Sequence, residues 1–204
     1  MSDLMSLPGF DPPPKPTDRL LFAVLPDISV AMCIEQLAHA LRSKHALHGT
    51  PLHAGQLHIT LLGLGDHVGL PKYLLAAAFW AASQITQEAF PVRFDKVLTF
   101  RYKSRVSDKY PTVLCSSEGA TGLTILHKGL VDALRSIGFG GMSASLTPHM
   151  TLLYDRQKIL EHTVEPVEWG VREFVLLRRH IDQRRPYSVL GKWPLRGVPH
   201  AGLF

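Results

Sequence analysis

The spacing of apolar positions changes several times along the chain, and each change predicts an element. Leu20 to Leu25 form an unbroken apolar run of strand length, stopped by Pro26 and Asp27, which reads as a central strand buried on both faces. Beyond it, Val30, Ile34, Leu37 and Leu41 recur at helical spacing, with Asp27 placed to cap the helix and fraying expected from His45 to Gly49. Gln56 to Gly65 reads as a second strand, and Pro71 opens a second helix carrying Leu74, Leu75, Ala78, Phe79 and Ala82. Residues 90 to 101 and 110 to 117 look extended, and Arg101, Lys103, Arg105 and Lys109 lie in and around the segment that joins them. Thr121 and Gly138 bracket a third helix with Leu123, Leu126, Leu130, Leu134 and Ile137 on one face. Leu146 to Tyr154 returns to strand. From about Val164 to Leu195 the pattern is strands throughout, with Gln183 to Pro186 turning the last hairpin.

The ends read differently. Pro8, Pro12, Pro13, Pro14 and Pro16 crowd the first 18 residues, remove backbone donors and predict a disordered tail. Residues 19–195 are expected to form a single bilobal domain, and 196–204 a second tail. A composition of 46% apolar and 19% charged residues in 204 excludes wholesale disorder, so the chain should bury a real core. There is no uncharged apolar run of the roughly 18 residues a membrane span requires, and no basic start leading into an apolar stretch. The expectation is a soluble, cytoplasmic, monomeric protein with no membrane partner.

Cys33 and Cys115 are too few for a disulfide framework and lack metal-type spacing. His45, His48 and His53 invite a metal reading, but no acidic residue or cysteine adjoins them in sequence, and no metal or other cofactor is expected. Lys and Arg total 22 against 17 acidic residues, a net charge of +5, which favours anionic partners without proving nucleic acid. Arg178, Arg179, Arg184 and Arg185 flank the last hairpin, where they suit either an RNA backbone or a solvated turn. Trp80, Trp169 and Trp193 read as core fillers.

One string occurs twice. Leu57-His58-Ile59-Thr60-Leu61-Leu62 and Pro148-His149-Met150-Thr151-Leu152-Leu153 share the pattern His, apolar, Thr, Leu, Leu, each in a predicted strand. A bare His-x-Thr arises by chance about once in a chain of this composition, but two five-residue matches do not. Alternate side chains of a strand share a face, so each copy presents an imidazole beside a hydroxyl and turns its aliphatic residues the other way. Two such strands facing each other make a cleft with two His and two Thr. Imidazoles with near-neutral pKa values can act as general base and general acid, while hydroxyls hold anionic oxygens. That is the equipment for phosphodiester cleavage without a metal. Neither copy contains a carboxylate, which disfavours a glycosidase or a zinc hydrolase.

At these residues the chain resembles the two-histidine phosphoesterase superfamily, in the branch of 2'-5' RNA ligases and RNA 2',3'-cyclic phosphodiesterases. The likeness runs from the Arg19 to Pro26 string RLLFAVLP, through both His-x-Thr-Leu strands, to the Tyr187 to Leu195 string YSVLGKWPL. It implies an α+β bilobal fold of two pseudo-symmetric antiparallel sheets with helices outside and a central cleft. Many relatives carry an aromatic residue five after the first His and an Arg five after the second, where this chain has Gly63 and Tyr154. Tyr154 can donate a hydrogen bond to phosphate but brings no charge, so Arg101 or Arg185 is expected to supply the cation, with Tyr187 also contacting substrate.

The expected activity is opening of a 2',3'-cyclic phosphate at an RNA end to a 2'-phosphate, with a reversible 2'-5' joining activity beside it. His149 would activate water, His58 would protonate the leaving 3'-oxygen, and Thr60 and Thr151 would hold the non-bridging oxygens, the two His roles being exchangeable. A non-catalytic module that binds RNA ends, or an enzyme for small cyclic nucleotides or 2'-5' oligonucleotides, remains open on the sequence.

Overall fold

The computed structural model describes residues 14–102, 108–181 and 187–196. Eight strands and three helices follow in the order β1 (Asp18–Val24), α1 (Ile28–Lys44), β2 (Ile59–His67), α2 (Lys72–Ser83), β3 (Phe90–Thr99), β4 (Tyr110–Cys115), α3 (Thr121–Ser136), β5 (Met150–Asp155), β6 (His162–Val171), β7 (Glu173–His180) and β8 (Ser188–Pro194). The predicted elements are all present, with boundaries moved by a few residues. Asp18, expected in the tail, opens β1, and Thr17 before it donates its N–H to the His67 carbonyl at 2.8 Å. At the other end Arg196 bridges to Glu88.

Every strand pairing is antiparallel, and the spatial order is β6-β3-β4-β5-β2-β1-β7-β8. The halves implied by the family resemblance are therefore four strands each, with the two His-x-Thr strands innermost. They are not separate sheets. Ile59 of β2 pairs with Met150 of β5, and this single registered pair makes the eight strands continuous.

Each half repeats a strand-helix-strand unit, β1-α1-β2 in one and β4-α3-β5 in the other, but the helices cross over. The α1 helix, leaving β1, packs on β5 and β6 of the opposite half, whereas α3, leaving β4, reaches β2 as well as β3. In α1 the buried stripe is Ala31, Ile34, Ala38 and Leu41, with Val30 and Leu37 on its flanks. The α2 face is mostly alanine, with Ala77, Ala78, Ala81 and Ala82 buried, so its axis can approach α3 closely. Phe22, Phe94 and Phe174 are fully enclosed in the core beneath, and Phe174 stacks on Trp193 with ring centroids 5.5 Å apart. Truncating one of these rings to Ala would cost about 3 to 5 kcal/mol.

The loop between α1 and β2 ties the halves together from the front. The buried Asp155 carboxylate at the end of β5 accepts the backbone N–H of His48 at 2.6 Å and also that of Gly49. Gly49 lies so close to the Tyr154 carbonyl that a Cβ there would collide with it, which leaves glycine as the residue the approach permits. Leu52 then donates its N–H to the Leu152 carbonyl at 2.8 Å. None of the described helices is long and apolar enough to cross a membrane.

Candidate active site

Both histidines of the repeated string stand one residue before their strands, at the entrance rather than inside. A matching hydrogen bond holds each ring. His58 Nδ1 donates to the Gln56 carbonyl at 2.8 Å and His149 Nδ1 donates to the Thr147 carbonyl at 2.7 Å, so in each copy the carbonyl two residues upstream is used by the imidazole. A carbonyl accepts only, so Nδ1 must carry the proton and Nε2 is left as the working nitrogen in both rings. Ile59 and Met150, the residues between each His and Thr, are wholly buried, as the strand alternation predicts.

His58, Thr60, His149 and Thr151 line one cleft of about 450 Å³. The antiparallel pairing of Ile59 with Met150 sets His58 on the Thr151 side and His149 on the Thr60 side, so each imidazole has the other strand's hydroxyl across from it. An aromatic ring braces each imidazole edge-on: Tyr187 against His58 and Phe100 against His149, both with centroids 4.8 Å apart. Burial pushes both histidines below their ordinary value of 6.5, outweighing the carbonyl bonds that act in the other direction. His58 feels two further downward pulls, from His149 and from Arg179.

Tyr154 and Tyr187 line the cleft, and Gly63 does too, at the position equivalent to Tyr154. The expected cations fare differently. Arg101 is exposed and does not line the cleft, although Phe100 before it packs on His149. Arg185 lies outside the described residues, as do Gln183 to Pro186. Among the described residues two cations line the cleft, Arg19 and Arg179.

Period-two alternation along β7 explains the place of Arg179. Arg179 pairs with Arg19, Leu177 with Leu21 and Val175 with Ala23, all on the cleft face, whereas Arg178 turns away to the buried Asp18 at 2.6 Å. Arg19 lines the cleft too, but its guanidinium is held two-pronged by Asp66 at 2.6 and 2.8 Å. Asp66, Arg19 and Arg179 thus form one row across β2, β1 and β7. Arg179 has no carboxylate partner among the described residues; it sits 5.9 Å from the centre of the Tyr187 ring, whose hydroxyl is pushed above its ordinary value, chiefly by burial. The alternation of Val175, Leu177 and Arg179 is the available signal in the sequence; reading the arginines as one cluster hides it.

The three histidines considered for metal separate. His53 meets Glu35 at 3.2 Å, His45 packs on His162 with centroids 5.1 Å apart, and His48 gives only its backbone N–H to Asp155. Among the described residues no cluster of three or more His, Cys, Asp or Glu side chains is placed to hold a metal ion.

Comparison with known proteins bears on the family and the fold. Among curated protein sequences none matches the chain. In solved structures, E. coli LigT in its apo form is 26% identical, covering 90% of this chain and 99% of its own with a TM-score of 0.65. E. coli LigT complexed with 3'-AMP is 27% identical over 89% and 99%, with a TM-score of 0.64. TT0787 of Thermus thermophilus, at 23% identity over 88% and 98%, shares the fold with a TM-score of 0.69. The family model described as the 2'-5' RNA ligase superfamily matches residues 26–183, a span holding both His-x-Thr strands and Arg179, and the chain belongs to that superfamily of two-histidine phosphoesterases, which act on phosphodiester bonds.

Proposed function

We propose that the protein hydrolyses 2',3'-cyclic phosphate ends of RNA to 2'-phosphates. The observation that carries this reading is the convergence of two imidazole-hydroxyl pairs on one cleft, each imidazole fixed through Nδ1 so that Nε2 is presented. His149 Nε2 takes a proton from water as its oxygen attacks phosphorus. The bond from phosphorus to the 3'-oxygen breaks, and His58 Nε2 gives that oxygen its proton, leaving the phosphate on the 2'-oxygen. Thr60 and Thr151 donate to the non-bridging oxygens, and Arg179 supplies the charge that the Tyr154 position lacks.

The cycle needs one proton shared between two imidazoles. Repulsion between His58 and His149 disfavours the doubly charged pair, while burial weighs against charge on either ring, so bound phosphate is the group that would hold the single proton in place. With a 5'-hydroxyl in place of water the same step, with the same roles, joins two ends as a 2'-5' linkage; because the two rings are held alike, exchanging their roles runs it backwards, the 3'-hydroxyl attacking phosphorus as the 5'-oxygen leaves. Binding of 3'-AMP by E. coli LigT supports a nucleotide as the ligand class.

The test is incubation of purified protein with oligonucleotides ending in 2',3'-cyclic phosphate and identification of the product. A 2'-phosphate is expected. A 3'-phosphate would contradict the proposed leaving group, and tight binding without turnover would replace the enzyme by an RNA-end binding module.

A further inference from the structure

Next to the cleft lies a second hollow of about 570 Å³, lined by Arg19, Gly63, Asp66, His127, Ser143 and Ser145 among others. Arg19 and Gly63 line both spaces, so the two hollows meet at that point. The opening follows from the sheet. Beyond Ile59, β2 has no further registered pair with β5, and its outer edge faces α3 and the segment before β5 instead of a strand.

Three features of this hollow concern ligand binding. First, the pseudo-symmetry of the site is broken here: five residues after His149 the chain carries Tyr154, and five after His58 it carries Gly63, where an added Cβ would meet nothing within 4 Å. No side chain of residue 63 therefore obstructs the passage on the β2 side. Second, His127 is only 3% exposed; its Nδ1 donates to the Leu61 carbonyl at 2.9 Å, yet its Nε2 is buried with no partner in the protein. An imidazole nitrogen in that position is a hydrogen-bonding group awaiting a partner. Third, the Arg19 guanidinium is bound by Asp66, so the lining offers donors and acceptors without a surplus charge. That combination suits the base and ribose of a nucleoside better than a second phosphate, and the volume lies in the range of sites that hold small organic groups.

We infer that this hollow receives the nucleoside adjoining the reacting phosphate, so that the protein binds oligonucleotide ends in preference to mononucleotides. The inference rests on the proposed function for what occupies the first cleft. Ser143, Ser145 and His127 would contact the second nucleoside, while Gly63 lets the chain pass between the two spaces.

Binding of product-type ligands tests this without needing turnover. Affinities for adenosine 2'-monophosphate and for the dinucleotide ApA carrying a 2'-phosphate are measured on the full chain by calorimetry, in wild type and in Ser145→Trp. Ser145 is exposed, so a bulky residue there fills the hollow without opening the core; an unchanged melting temperature and circular dichroism spectrum show that the variant is folded. The dinucleotide should bind about tenfold more tightly than the mononucleotide, and Ser145→Trp should erase that gain while leaving the mononucleotide unchanged. Equal affinities in the wild type, or a gain that survives in the variant, overturn the inference. Cyclic substrates assayed in parallel report on catalysis separately. A protein that shows the tenfold gain but turns nothing over keeps the second subsite and loses the hydrolytic mechanism.

Discussion

Ile59 stands opposite Met150 in the single registered pair that joins the two halves of the sheet, and the residue before each of them is a histidine. The seam of the fold and the proposed reaction centre are the same place. The strands diverge from that pair, and the cleft occupies the space they leave.

If the two imidazoles act on one transition state, His58→Ala and His149→Ala should each lower turnover by about 10²- to 10⁴-fold, and the double variant should lose less than the product of the two. Thr60→Ala and Thr151→Ala remove a hydroxyl donor only and should lose roughly 10- to 100-fold. Steady-state kinetics on a cyclic-ended oligonucleotide checks the ranking. A folded His149→Ala protein with wild-type turnover would sink the mechanism.

Acid should inhibit later than an ordinary histidine would allow. Burial holds both imidazoles below 6.5, so the acid limb of kcat/KM should fall below that pH, with its apparent value belonging to the pair. Stability follows the same sign: between the depressed folded values and the unfolded value near 6.5 the unfolded chain binds more protons, so the fold loses stability as pH drops through that window. Melting temperatures from pH 8 to 5 should decline more in wild type than in His58→Gln. A chelator should leave turnover unchanged.

Arg179→Ala should cost about 10- to 100-fold in kcat/KM, the range for losing a charge-assisted hydrogen bond, whereas Arg101→Ala should stay near wild type. The same variant removes a cation beside His58, the general acid in the proposed roles, so the alkaline limb should move towards higher pH. A profile that drops in rate without moving would assign Arg179 to substrate contact alone.

Asp155→Asn should destabilise the protein by roughly 2 to 4 kcal/mol, because it weakens a buried carboxylate bonded to the His48, Gly49 and Gln157 amides. Burial alone would raise this carboxyl, but those amides hold it below its ordinary 3.8. Its contribution is therefore present above that pH and fades as pH falls further. Urea titration at pH 7 gives the first number and the same titration at pH 3 should show a smaller difference between variant and wild type.

Much of the site is legible in the sequence because a strand repeats every two residues. His58 and Thr60, with Ile59 buried between them, follow from that period alone, and so does the matching set around His149. Helices α1 and α3 are equally plain from their apolar spacing. Arg179 is harder: it differs from Arg178 only by which face of β7 it occupies, and a cluster of arginines in sequence does not say which one points where. The role of Phe100 beside His149 depends on where β3 ends relative to β5, two strands away in the sheet, and nothing local records that. The entry positions of the histidines escape a sequence reading because the registered pairings stop at Ile59 and Met150, and where they stop depends on partner strands distant in sequence.

The crossing of α1 and α3 onto opposite halves bears on how the chain can be assembled. Neither half can complete its own interior, since the helix emitted by one covers strands of the other. A fragment ending near Ser83 would hold β1 and β2 with two helices, α1 and α2, but without the β5, β6 and β8 strands they pack on, and the remainder would lack the α1 cover of β5 and β6. The two lobes that the symmetry draws are thus inseparable in folding: denaturation should be a single cooperative transition, and its rate should be slow, as befits contacts that wait for the last third of the chain.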